Sequence, residues 1–136
     1  VIIGAWMVLI LVLGTVRSTV HPTENVEKVE SAIRNILGDI PLQRAERWGG
    51  LVVEGKIETL ESLRPLRDLL RRLRIRDTFY SVLTRAASED HLSFGLNKQA
   101  AYAGKASLHL SRESPLGPIH IELNGDIETA IKYLCK

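Results

Sequence analysis

The sequence predicts an α+β fold: a mainly antiparallel sheet with helices packed on one face. Three observations carry that prediction. Segments with helical apolar spacing alternate irregularly with segments of strict two-residue alternation, a mixture that regular parallel crossovers would not give. The pair Gly49-Gly50 lies between two strand-like runs, as a hairpin turn does. The chain of 136 residues is long enough for one domain with a real core, and no linker-like stretch divides it.

The elements follow in order. Leu9 to Val20 is rich in valine and similar residues and stops at Pro22, so it reads as the first strand. Thr23 is then placed to cap a helix, with Glu24 and Glu27 in the first turn where the helix dipole favours acids. Val26, Val29, Ile33 and Ile36 follow helical spacing, and Gly38 ends the run. Leu42 to Trp48 and Leu51 to Ile57 form the hairpin arms around Gly49-Gly50.

In "TLESLRPLRDLLRRLRI", Leu63, Leu66, Leu70 and Leu73 make one stripe at helical spacing. Arg64, Arg67, Arg71 and Arg74 repeat that spacing one residue later, about 100° round the helix, so they line a flank beside the buried leucines. Pro65 is tolerated if the helix begins near Ser62. Asp77 is placed to cap the next helix, with Phe79, Val82, Leu83 and Ala86 inward.

The last third alternates in His91 to Leu96, Ser107 to Leu110 and Ile119 to Leu123, before an Asp126-capped helix with Ile127, Ile131 and Leu134 inward. A symmetric hairpin around "SRESPLGP" would set Leu110 against Ile119, Leu108 against Ile121 and His109 against His120. Within "ESPLGPI", Pro115, Gly117 and Pro118 suit a turn, and Arg112 and Glu113 are available to a partner.

Between the first two of these strands lies "NKQAAYAG". Asn97 reads as an N-cap of about two helical turns closed by Gly104. Lys98 then stands at the positive end of the helix, the wrong end by roughly 0.3–1 kcal/mol. A phosphate seated there would explain it, which makes Asn97, Lys98, Gln99 and Lys105 candidate RNA contacts.

Charge points the same way. The net charge is only +2, but Arg64 to Arg76 holds six arginines against the single acid Asp68. That segment is +5, leaving about −3 for the rest of the chain. Arg64, Arg67, Arg71, Arg72, Arg74 and Arg76 are therefore the leading candidates for neutralising successive phosphates. The plain alternative is a solvated helix face with local ion pairs such as Asp68 to Arg72.

Other classes find less support. Cys135 is the one cysteine, so an internal disulfide is impossible and a reducing cytoplasm is expected. Residues 1–11 form an apolar leader, read as lying outside the domain of residues 12–136, with a misassigned start as one explanation. The 16-residue uncharged run that it opens is short for a span of about 20 residues. Glycine-rich phosphate loops, nucleophile elbows and paired catalytic carboxylates are all missing, so no enzyme activity and no cofactor are expected. His91, His109, His120 and Glu122 share the polar side of their strands, but without the short spacings of a metal site. Phe94 falls on the apolar side of its strand, so the aromatic platform of the commonest RNA-recognition sheet is not expected there.

Four stretches together carry a resemblance: "VHPTENVEKVESAIRNI", "TLESLRPLRDLLRRLRIRDT", "NKQAAYAGKASL" and "ESPLGPIHIEL". From about Val16 to the C-terminus the chain resembles a small uncharacterised archaeal family of predicted RNA-binding or exosome-subunit-like proteins. The resemblance implies a fold like that of the large-subunit ribosomal protein that binds 5S rRNA, and implies no reaction. The expected function is non-enzymatic binding of structured, ribosomal-type RNA through backbone phosphates. The alternatives are a dimeric protein-interaction module without nucleic-acid binding and, more remotely, a metal-dependent enzyme using His109, His120 and Glu122.

Overall fold

The structure, a computed structural model, describes residues 12–109 and 117–135. Strand β1 (Val12–Val20) lies at the centre of a five-stranded sheet, with β2 (Leu42–Arg47), β3 (Gly50–Ile57), β4 (His91–Asn97) and β5 (Pro118–Gly125). The spatial order is β2-β3-β1-β5-β4 and every pairing is antiparallel. The α+β architecture is therefore the one expected. The expected first-strand residues Leu9 to Leu11 lie outside the described residues.

Alternation decides which side chains go inward. Val12 and Val16 of β1, Val53 and Ile57 of β3, Leu92, Phe94 and Leu96 of β4, and Ile119, Ile121 and Leu123 of β5 all enter one core. The helices supply its other half: α1 (Val26–Leu37), α2 (Arg64–Leu73), α3 (Arg76–Ala86), α4 (Lys98–Tyr102) and α5 (Ile127–Cys135). The leucine stripe goes in as read, with Leu63, Leu66 and Leu70 buried and Leu73 packed at the margin, and Leu69 joins them.

Several local details differ from expectation. Helix α1 is capped by Asn25, whose Oδ1 accepts from the Glu27 amide at 2.8 Å, and not by Thr23. Thr23 is held in a turn in which the Glu24 amide donates to the His21 carbonyl and the Thr23 hydroxyl bonds His21 Nδ1. Glu24 thus precedes the helix. The β2–β3 turn is Trp48-Gly49, at φ 52° and 75°, one residue earlier than the Gly49-Gly50 pair suggests. Both central residues have positive φ, as a tight two-residue hairpin requires.

Helix α2 begins at Arg64, after a 3-10 turn at Leu60–Leu63, so Pro65 sits in its first turn where a proline costs little. Gly38, at φ 73°, ends α1, and a Cβ there would lie 3.0 Å from Pro65 Cγ, so it lets the two helices meet. Helix α3 starts directly from Ile75, which leaves Asp77 in the first turn and not at the cap. Its inward residues are Phe79 and Leu83, while Val82 is half-buried and Ala86 exposed.

The expected hairpin between Ser107–Leu110 and Ile119–Leu123 does not form. β5 lies between β1 and β4, pairing Leu96 with Ile119, Phe94 with Ile121 and Gly95 with His120. The segment around Leu108 makes only a bridge to Leu96, on the other edge of β4. Alternation fixes the face a side chain takes but not the neighbour beside it, so a register consistent with the pattern was still wrong. Leu110, Arg112, Glu113 and Pro115 lie outside the described residues.

Candidate nucleic-acid interface

Strand directions sort the molecule into two ends. β1 finishes at Val20 beside Leu51, and on its other side β5 begins at Pro118, opposite Asn97. The Trp48-Gly49 turn, the start of α1 and all of α4 therefore belong to the Val20 end. Helix α2 starts at the other end, after Ile57, which pairs near Val12, with Pro65 in its first turn against Gly38 at the end of α1. It bends into α3 at Arg74–Ile75.

That bend is where the arginines differ from one another. Arg71, Arg72 and Arg74 are exposed and Arg76 is half-buried. Arg74 ends α2 in the left-handed conformation, φ 59° and ψ 41°, and the Ile75 amide donates to the Leu70 carbonyl at 3.2 Å. A residue at this position is usually glycine. Arg64 is exposed and 3.3 Å from Glu61. Arg67 turns inward: its side chain is 24% exposed and its guanidinium lies 4.6 Å from the Tyr133 ring centroid on α5. Its Nε is buried without a hydrogen-bond partner, 3.5 Å from an Asp68 carboxylate oxygen. Burial raises the Tyr133 hydroxyl above the usual tyrosine range, partly offset by Arg67.

The second expected cluster also divides. Asn97 is the N-cap of α4, its Oδ1 accepting from the Ala100 amide at 2.9 Å. Lys98 is buried, with 5% of its surface exposed. Its ammonium donates to the Thr19 carbonyl at 2.8 Å and to Glu24 Oε1 at 3.0 Å. Thus the lysine that opposes the α4 dipole serves the fold: it ties α4 to the end of β1 and the start of α1, and a phosphate is not needed to explain it. Gln99 and Lys105 are exposed.

On the open face of the sheet, Arg17 stands opposite Glu54 on one neighbour and His120 on the other. His120 Nε2 shares a hydrogen bond with Ser93 Oγ at 2.8 Å, and burial, with Arg17 next, pushes its pKa below the usual histidine range. His91 bonds Asn124 at 2.9 Å. The His109 amide donates to the Gly95 carbonyl, and Gly95 in turn pairs with His120, so β4 separates the two histidines that were expected to face each other. Among the described residues no group of three or more histidine, cysteine, aspartate or glutamate side chains is placed to hold a metal ion. Among those residues, too, no helix is long and apolar enough to cross a membrane. Cys135 is partly buried, and desolvation raises its thiol to about 11.

Sequence reasoning passed over Trp48. Among the described residues it is the most exposed of the large apolar side chains, at 72%, and Arg17 lies 5.0 Å from its ring centroid. The available signal was a tryptophan abutting a Gly-Gly turn, where an aromatic side chain has nothing to pack into.

Comparison with known proteins agrees with this architecture. Residues 15–124 match a protein family described as RNA binding. The chain is 37% identical over 120 residues to a UPF0201 protein of Thermococcus onnurineus, covering 88% of this chain and 87% of that one. A UPF0201 protein of Methanopyrus kandleri is 39% identical over 127 residues, covering 85% and 79%. The crystal structure of the UPF0201 protein from Methanococcus jannaschii superposes with a TM-score of 0.80 at 30% identity, over 91% of this chain and 99% of that one. A Methanothermobacter thermautotrophicus protein shares the fold at a TM-score of 0.64 and 22% identity, over 94% and 99%. By the family match and by these relatives, the chain belongs to the archaeal UPF0201 proteins and to the family described as RNA binding.

Proposed function

We propose that the protein binds structured RNA through its phosphate backbone, without a chemical step, using the bend between α2 and α3. The observation that carries the reading is the exposure of Arg71, Arg72 and Arg74 together at that bend, within a segment of net charge +5. Guanidinium groups bind phosphate in a planar fork and keep their charge at any physiological pH, so such a cluster suits a polyanion. The family description supports RNA as that polyanion. Gln99 and Lys105 are exposed and extend the proposed surface. Arg76 flanks it, whereas Arg64 stands at the opposite end of α2. Asn97, Lys98 and Arg67 drop out as direct contacts because their polar groups already serve the fold.

The likeness to the 5S-rRNA-binding ribosomal protein that the sequence resemblance implies makes a folded ribosomal RNA the first ligand to try. The test is a salt titration of RNA affinity for the full chain beside an Arg71→Glu, Arg72→Glu variant. The variant should bind far more weakly, and the slope of log affinity against log salt should fall by about one for each phosphate no longer neutralised. An Arg67→Glu control should instead destabilise the fold. Binding no tighter than that of an unrelated protein of equal charge would overturn the proposal.

A further inference from the structure

We propose that Trp48 is a stacking platform for an unpaired RNA base. The inference rests on the RNA reading above and adds a second kind of contact to it. A tryptophan at φ 52° occupies a backbone position suited to glycine, asparagine or aspartate, and there it leaves 72% of its surface in water. It gains little burial in return for an unfavourable conformation. Backbone positions of that kind are where binding roles concentrate.

The surroundings indicate the ligand. The Arg17 guanidinium lies over the ring at 5.0 Å, so one face of the platform carries a cation and the base would stack on the other. A nucleotide carries the matching pair, a flat base and an attached phosphate. The open sheet face continues from Arg17 to His120 and Ser93, which bond each other and keep that face polar. A protein partner fits less well. Among the described residues the other exposed large apolar side chains, Leu13, Tyr80 and Tyr102, lie near the start of β1, on α3 and on α4, so within them Trp48 is not part of a continuous apolar patch. The base must be unpaired, because a base within a duplex is already stacked on both sides.

The chain has two tryptophans, so the full chain carrying Trp6→Phe leaves Trp48 as the only indole reporter. Oligouridine should quench its fluorescence. Trp48→Asn, which suits positive φ, should weaken oligouridine binding about tenfold or more while duplex affinity stays unchanged. Trp48→Phe should restore part of the loss. Oligouridine binding without quenching, or unaffected by Trp48→Asn, would overturn the inference. So would a Trp48→Asn effect confined to the sedimenting mass, which would make Trp48 a contact between copies. If Trp48→Asn has no effect but Arg71→Glu, Arg72→Glu abolishes duplex binding, this inference alone fails. If neither RNA binds, both readings fail.

Discussion

Replacing Lys98 by methionine should cost about 3–5 kcal/mol of stability, because Glu24 would stay largely buried without its cation and the Thr19 carbonyl would lose a donor. Adding Glu24→Gln should recover a good part of that loss, since the uncompensated charge goes with it. Urea melts of the two variants and the parent check this, and a Lys98→Met change within about 1 kcal/mol of the parent would contradict it. At this scale the sequence disclosed an anomaly but not its cause. A lysine in a first helical turn is visible from spacing alone. Its partner lies 74 residues earlier, in a turn whose shape depends on how β1 meets α1. Trp48 is a similar case, since its exposure depends on where the hairpin turns.

Helix α2 shows how much of an element can be read and where reading stops. The period of its leucines gave the buried face, and the arginines one residue later gave a flank. Period places a side chain around an axis, but it cannot tell which flank another helix will cover. Arg67 lies on the side taken by α5, so it packs on Tyr133, while Arg71 and Arg72 remain at the surface. The end of the helix carries its own consequence. Arg74 holds a left-handed conformation that costs a side-chain residue about 1 kcal/mol or more. Arg74→Gly should therefore raise stability by about 0.5–1 kcal/mol, after the entropy of a glycine in the unfolded chain is counted. It should also weaken RNA binding. Thermal melting and RNA titration on the same sample check both signs, and a variant that gains stability with undiminished affinity would remove Arg74 from the interface.

Over the whole molecule, the proposed RNA surface joins the exposed arginines of the α2–α3 bend to the exposed Gln99 and Lys105 of the α4 region. α4, the hairpin turn with Trp48 and the start of α1 lie where β1 finishes. Hydrogen exchange should register this: RNA should slow amides around 71–76 and 99–105 and leave those around Gly125 and Ile127 unchanged. Uniform protection, or protection around Gly125 and Ile127 alone, would contradict an interface built from the bend and the α4 region. The fold class was legible because it depends on segment type and order. The strand order was not, because Leu92, Phe94, Ile119 and Ile121 alternate in the same way whichever strand lies next to them.

That strand order also sets a timetable. Of the described strands β5 is the last in sequence, yet it joins β4 to the rest of the sheet by pairing with β1, the first. As the chain leaves the ribosome, β1, β2 and β3 can pair early, but one side of β1 stays open until Pro118–Gly125 emerges. The sheet closes late, through its most distant pairing, and such pairings slow folding and expose an edge meanwhile. A nascent chain halted before β5 would present that open edge to its neighbours.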